Sequence, residues 1–288
     1  MFDLNEFIID KFGENAKLLY ELRGGMMNES FVVENNNKKY VLYVATKQAN
    51  EMVDRYQELE NHEIVYKLGL TSKNIYFDVH TGIKVNRFIE GDSLNHLEDY
   101  DADKIAKLLR TLHTSKILAN SDYLPFERLE QFISTRKKLT NTISPLHAGL
   151  LTIVTKNRAY LESDPLVMCH NDFQRSNIIK DLDDNYWMID FEFMGNNSPL
   201  YDIASFGNDS ISDGIRLLKA YRNNCPTYDD YRKFYLWRIF ISLQWYNVAL
   251  IKHYRGEGEA HDIDFLSVAD HFINNAKEAA DLAAKLKR

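Results

Sequence analysis

The stretch that most limits what this chain can fold into runs from Cys169 to Phe193. Val167-Met168-Cys169 is a short apolar run that ends on His170-Asn171-Asp172. Asn177-Ile178-Ile179 resumes the apolar pattern, Asp181-Leu182-Asp183-Asp184-Asn185 is a polar turn, and Tyr186-Trp187-Met188-Ile189 returns to end on Asp190. The pattern predicts a hairpin that brings Asn177 and Asp190 side by side. Two carboxylates and an amide at strand ends have no use in an apolar core, where unpaired polar groups cost stability.

The residue types suit phosphoryl transfer assisted by a metal. Asp172 can accept the proton of a hydroxyl, and Asn177 and Asp190 are hard oxygen ligands of the kind Mg²⁺ prefers. Glu192 is a further candidate metal or water ligand, the alternative being an exposed strand residue. His170 is expected to hold the loop through hydrogen bonds. Cys169 reads as a buried strand thiol. Gly24-Gly25 would let backbone N–H groups approach phosphate oxygens with no Cβ in the way, and Asn28 and Ser30 add side-chain donors. A plain hairpin turn is the competing reading of the two glycines.

Strands are expected first and helices later. Leu4 to Phe12 carries a helical apolar stripe. Lys17–Arg23, Phe31–Glu34, Tyr40–Val44, Ile75–Val79 and Ile83–Ile89 read as strands, with a helix from Asn50 to Lys67 stopped at Gly69. Helices are expected at Asp103–Leu118, Phe126–Leu139, Leu146–Leu161, Tyr201–Ser210, Tyr228–Tyr254 and Asp264–Lys287. That order predicts an α+β chain of two lobes, 1–90 and 91–288, with a five-stranded antiparallel sheet and a helix in the first and a larger helical second lobe.

Composition narrows the classes. With 45% hydrophobic and 27% charged residues among 288, the chain reads as an ordinary soluble protein. A net charge of −7 argues against nucleic acid as the main partner, and no apolar run is long enough to span a membrane. Two cysteines make no disulfide framework, and MFDLNEFIIDKF lacks a basic leader region. A cytoplasmic monomer or homodimer acting on a small molecule is the expectation.

His170-Asn171-Asp172-x-Gln174-x-x-Asn177 and Ile189-Asp190-Phe191-Glu192 resemble the choline/ethanolamine kinase family, in its bacterial lic-type branch. That family lies within the aminoglycoside-phosphotransferase and protein-kinase-like superfamily. Gly24-Gly25-Met26-Met27-Asn28 is similar to its phosphate loop, Asp54 to Glu58 to the helix with its ion-pair Glu, and Gly82 to Glu90 to the strand entering the hinge. The resemblance implies a bilobal kinase-like fold that uses ATP and Mg²⁺ to phosphorylate a small amino alcohol. It gives Asp172 the role of general base, Asn177, Asp190 and Glu192 the metal, and Gln174 nearby polar support. Asn86, Arg87, Phe88 and Ile89 would face adenine, and Asp202 would brace the catalytic loop.

Glu58 would pair with a cation on the strand Tyr40–Val44, yet Tyr43 stands where Lys or Arg is expected; Lys47 and Arg55 are the candidates to replace it. A solvent-facing Glu58 is the alternative. Aromatic faces for a trimethylammonium group would come from Phe193, Trp237, Trp245 and Tyr246, unless these are simply core. The family's W-x-x-W is broken here by Val248, and Phe193 replaces a usual Tyr. Rival readings are an ethanolamine kinase, an aminoglycoside or sugar-hydroxyl kinase, and a weakly catalytic nucleotide-binding module.

Overall fold

A computed structural model describes residues 3–22, 28–46, 50, 53–258 and 263–287. The chain forms two compact units, Met1–Leu97 with Ile178–Phe193, and Glu98–Asn177 with Met194–Arg288. The first unit therefore takes in the segment Ile178–Phe193, which a simple division at residue 90 leaves in the second.

The first unit opens with helix α1 (Leu4–Phe12), capped by Asp3, whose carboxylate accepts from the N–H groups of Asn5 and Glu6. Strands β1 (Lys17–Leu22), β2 (Asn28–Asn35), β3 (Lys38–Ala45), β4 (Asn74–Phe77) and β5 (Lys84–Arg87) form an antiparallel sheet in the order β1-β2-β3-β5-β4. Thus β5, not β4, lies against β3, and the register places Lys84 opposite Tyr43. Helix α1 packs on this sheet over Ile8, Val33, Leu42, Ile83 and Val85. Helix α2 (Arg55–Lys67) is capped by Asp54. It buries Arg55, Glu58, Asn61, His62 and Val65, a stripe at helical spacing that is mostly polar. A second sheet joins β6 (Gly91–Ser93) to the hairpin β8 (Ile178–Asp181) and β9 (Tyr186–Met188). Met188 N–H donates to Leu70 O, and Phe191 sets its ring edge-on to His62.

The second unit is built on helices α3 (Ala102–His113), α4 (Pro125–Leu139), α5 (Leu146–Lys156), α6 (Arg158–Leu161), α7 (Pro199–Phe206), α8 (Ile211–Tyr221), α9 (Tyr228–Tyr254) and α10 (Phe265–Lys285), with one two-stranded ladder of β7 (Val167–Cys169) and β10 (Gly195–Asn197). Helix α9 starts at a capping box of Thr227 and Asp230 and is buried nearly all round, as a central helix must be. Three of its buried polar residues pair across the unit: Lys233 with Asp164, Arg238 with Asn208, and Asn247 with His147.

The expected elements appear with ends moved by a few residues, except that the helix expected over Leu146–Leu161 is divided at Asn157 into α5 and α6. Helix α8 is not among the helices expected above, although its apolar residues fall at helical spacing, and Gly214 sits mid-helix. A Cβ there would lie 2.7 Å from Phe234 and 3.1 Å from the Cα of Gly207, so the glycine permits close packing onto α7 and α9. Among the described residues no helix is long and apolar enough to cross a membrane.

Candidate active site

In the first unit the site begins with Glu58. Its place in the first turn of α2 points it under the sheet rather than to solvent, and it is only 2% exposed. Arg55 Nη1 donates to one carboxylate oxygen at 2.6 Å, and Lys84 Nζ donates to the other. Lys84 rises from β5 across the ring of its strand partner Tyr43, with Nζ 4.9 Å from the ring centre. It also stands 4.0 Å from Asp190 Oδ1. The cation expected on β3 therefore comes from the neighbouring strand. Arg55 is the second partner, and Lys47 lies outside the described residues.

Electrostatics bind this group together. Burial disfavours the Lys84 ammonium, but Glu58, Asp190 and Glu192 outweigh it and hold the pKa above its ordinary value. Burial likewise opposes the Glu58 carboxylate, and Lys84 and Arg55 overcome that to keep its pKa low. Tyr43 is pushed up to about 12 by burial, so its phenol stays neutral.

Asp190 follows β9 with a left-handed backbone (φ 68°), a conformation that Asp tolerates better than most residues. Burial first, and then the charge of Asp190, push the Glu192 carboxyl well above the usual range. Glu192 Oε2 is buried with no hydrogen-bond partner among the described residues. Two mutually repelling carboxylates and an orphaned buried oxygen fit a hard divalent cation. Asn28 Oδ1 is another buried oxygen with no partner among the described residues, and Ser30 is buried beside it on β2. Gly24 and Gly25 lie outside the described residues.

The strand expected to face a nucleotide base is partly committed to its neighbours. Asn86 Oδ1 accepts from Asn74, Arg87 N–H donates to Lys73 O, and Phe88 N–H donates to Lys39 O. Ile89 follows, half-buried.

In the second unit, β7 delivers the loop from His170 to Asn177. Asp202 in the first turn of α7 is fully buried and straps this loop. Its two oxygens accept from the backbone N–H groups of His170 (2.8 Å) and Asn171 (2.6 Å), and His113 Nε2 lies 3.0 Å from Oδ2. Asn171 is also left-handed (φ 63°), and its side-chain amide bonds Cys169 O, Gly195 O and Asn197 Nδ2. Arg175 Nη1 meets Asp213 at 3.1 Å, and Asp213 accepts from Tyr100 OH. Against this scaffold Asp172 Oδ2 accepts from Gln174 Nε2 at 3.0 Å and Asn177 Nδ2 at 2.9 Å. The Asn177 amide thereby turns its oxygen away from Asp172. Gln174 Nε2 donates to Asp172 and its Oε1 accepts from Asn208, which fits the polar support expected of it. Cys169 is fully buried and its thiol pKa is raised by burial, so it is no nucleophile.

Of the aromatics expected to line a substrate site, Trp237 and Tyr246 lie in the core of the second unit. Trp237 is 1% exposed and packs edge-on to Tyr201 and Phe240. Tyr246 is buried, beside His147, and accepts from Ser144 N–H. Trp245 stacks on Phe272, and Phe193 is half-buried in the first unit. Of the acidic residues around 257–264, Glu257 pairs with Lys252 and Asp264 caps α10, while Glu259 and Asp262 lie outside the described residues.

A carboxylate fixed on a strapped loop, with a buried Lys–Glu pair beside two further carboxylates, is the equipment of a phosphotransferase acting on hydroxyl groups. The model of the choline/ethanolamine kinase family matches residues 19–236, and the chain belongs to that family. The chain is 24% identical over 249 residues to Protein LicA of Haemophilus influenzae, covering 81% of this chain and 73% of that protein. It is similar to the crystal structure of choline kinase LicA from Streptococcus pneumoniae (25% identity, TM-score 0.77, 98% of this chain and 99% of that one). It is also similar to a LicA solved in complex with AMP (25% identity, TM-score 0.73, 98% and 97% covered).

Proposed function

We propose that this protein transfers the γ-phosphoryl group of ATP to the hydroxyl of a small amino alcohol, choline first. The observation that carries the reading is the Asp172 carboxylate, held at one oxygen by two side-chain amides on a loop strapped to Asp202. Asp172 orients the acceptor hydroxyl and takes its proton as the oxygen attacks the γ-phosphorus, whose bond to the β–γ bridging oxygen breaks to release ADP. Lys84, kept charged by its carboxylate neighbours, faces the phosphates and offsets their charge. Asn28, Ser30 and the strand Asn86–Ile89 take the nucleotide, a reading supported by the AMP complex of LicA. Asp190 and Glu192 would hold Mg²⁺, and the family resemblance adds Asn177 as a further ligand; the Glu192 oxygen buried without a partner among the described residues supports this. When bound, the ion shields the charge on the transferred phosphoryl oxygens.

Ethanolamine is the second reading. It is favoured by the closure of Trp237 and Tyr246 into the core. A primary ammonium has three N–H donors and needs acceptors, whereas a trimethylammonium needs open aromatic faces. The test is a panel of choline, ethanolamine and aminoglycosides with radiolabelled ATP, with and without Mg²⁺. Mg²⁺-dependent labelling of choline or ethanolamine is expected. Labelling of aminoglycosides alone, or of nothing, overturns the reading.

A further inference from the structure

We infer that Asn208 and Arg238 are positioning residues for the phosphotransfer: they fix which way round the Gln174 amide sits, and so the hydrogen bond that Gln174 makes to Asp172. The inference rests on the reading of Asp172 as the general base. It concerns two residues on α7's C-terminal flank and α9, outside the catalytic loop.

Four side chains form a line. Arg238 Nη1 donates to Asn208 Oδ1 at 2.6 Å, Asn208 Nδ2 donates to Gln174 Oε1 at 3.3 Å, and Gln174 Nε2 donates to Asp172 Oδ2 at 3.0 Å. Guanidinium is a donor only, and an ionised carboxylate is an acceptor only. A primary amide can face either way. Two amides in series between a donor-only and an acceptor-only end have one orientation that satisfies every contact, and it is the one seen here.

The line is built to be rigid at its far end. Arg238 is fully buried and is anchored by Ala204 O and Ser242 Oγ as well. Asn208 is 2% exposed, and its own backbone oxygen accepts from Asn275 on α10. The Arg238 guanidinium makes no ion pair among the described residues, and burial lowers its pKa to about 10 against the raising charge of Asp209. Burying a cation without a carboxylate costs stability, so a carboxylate at position 208 would be the better partner for Arg238 alone. Asn is the residue that can accept from Arg238 and also donate onward. Without that donation Gln174 is free to turn, and its oxygen would then face the Asp172 carboxylate and repel it.

The decisive variant is Asn208→Asp. It keeps the acceptor for Arg238, so the thermal midpoint should match or exceed wild type. It cannot donate to Gln174, so kcat should fall about tenfold or more, the scale of one lost hydrogen bond to a charged group, with KM for ATP within about twofold. Gln174→Ala should lose a similar factor. Because both act through one bond, the double variant should be no slower than the slower single variant, whereas independent effects would multiply. A second readout does not depend on turnover. The Gln174 side-chain N–H resonances, assigned by their loss in Gln174→Ala, should shift alike in Asn208→Asp and Asp172→Ala. Unchanged resonances in Asn208→Asp, wild-type kcat in that variant, or multiplying losses in the double variant each overturn the inference. A wild-type protein inert on the whole acceptor panel would instead overturn the proposed function, and the resonances would still decide the line of hydrogen bonds.

Discussion

Replacing Lys84 with Met tests the claim that β5 supplies the phosphate-facing cation. The change removes a buried ammonium that touches Glu58 and stands 4.0 Å from Asp190. Deleting one partner of a buried ion pair costs about 3–5 kcal/mol, and the low end applies because Arg55 still holds Glu58 at 2.6 Å. For a chain of 288 residues a loss of about 3 kcal/mol lowers the thermal midpoint by roughly 5 °C, so the variant remains folded for assay at 25 °C. A hydrogen bond between ionised groups contributes about 1.5–3 kcal/mol, which converts to about 10- to 150-fold in kcat/KM for ATP. The assay is steady-state phosphotransfer with varied ATP at saturating Mg²⁺, alongside thermal denaturation. Lys47→Met is the control and should stay within about twofold of wild type. Tyr43→Lys in the Lys84→Met background should recover part of the loss, because positions 43 and 84 are strand partners. A folded Lys84→Met protein with wild-type kcat/KM for ATP refutes the assignment, and a large loss in Lys47→Met would move the role there.

Asp172→Asn and Asp190→Ala should each lower kcat by roughly 10²-fold or more, read in the same assay, and near-normal turnover in either removes that residue from the mechanism. His147 is buried and its Nε2 lies 3.2 Å from the donor Asn247 Nδ2, so protonation would set donor against donor; its pKa is pushed down to about 4, with burial the largest cause. The unfolded chain then binds a proton between about pH 6.5 and 4 that the folded chain refuses, so this stability is complete above pH 6.5 and lost as pH falls, by at most about 3 kcal/mol. Thermal midpoints across that range should fall less steeply in His147→Gln than in wild type, and parallel curves would refute the assignment. Gly214→Ala should cost about 1–3 kcal/mol by overpacking against Phe234, measured by urea denaturation, and an unchanged midpoint would mean that the α7–α8–α9 contact yields freely.

Local chemistry carried much of this protein. The spacing from His170 to Glu192 announced the reaction type, because a hairpin's ends are a local consequence of apolar runs and a polar turn. The bounds of α9 were readable from Thr227 and Asp230 at one end and a continuous helix-compatible run to Tyr254. Strand-then-helix order was enough for the α+β class. What it left open were matters of distance in three dimensions. Lys84 replaces the missing β3 cation because β5 lies between β3 and β4, and sheet order is a long-range property with no signature in any one strand. Trp237 and Tyr246 share a helix with residues that pack on several neighbours, so only tertiary packing decides which aromatic faces stay open. Arg238, Asn208 and Gln174 are ordinary letters far apart in the chain. Their shared task exists because α9 and the end of α7 place a buried guanidinium where an amide, and not a carboxylate, can pass its orientation on to Asp172.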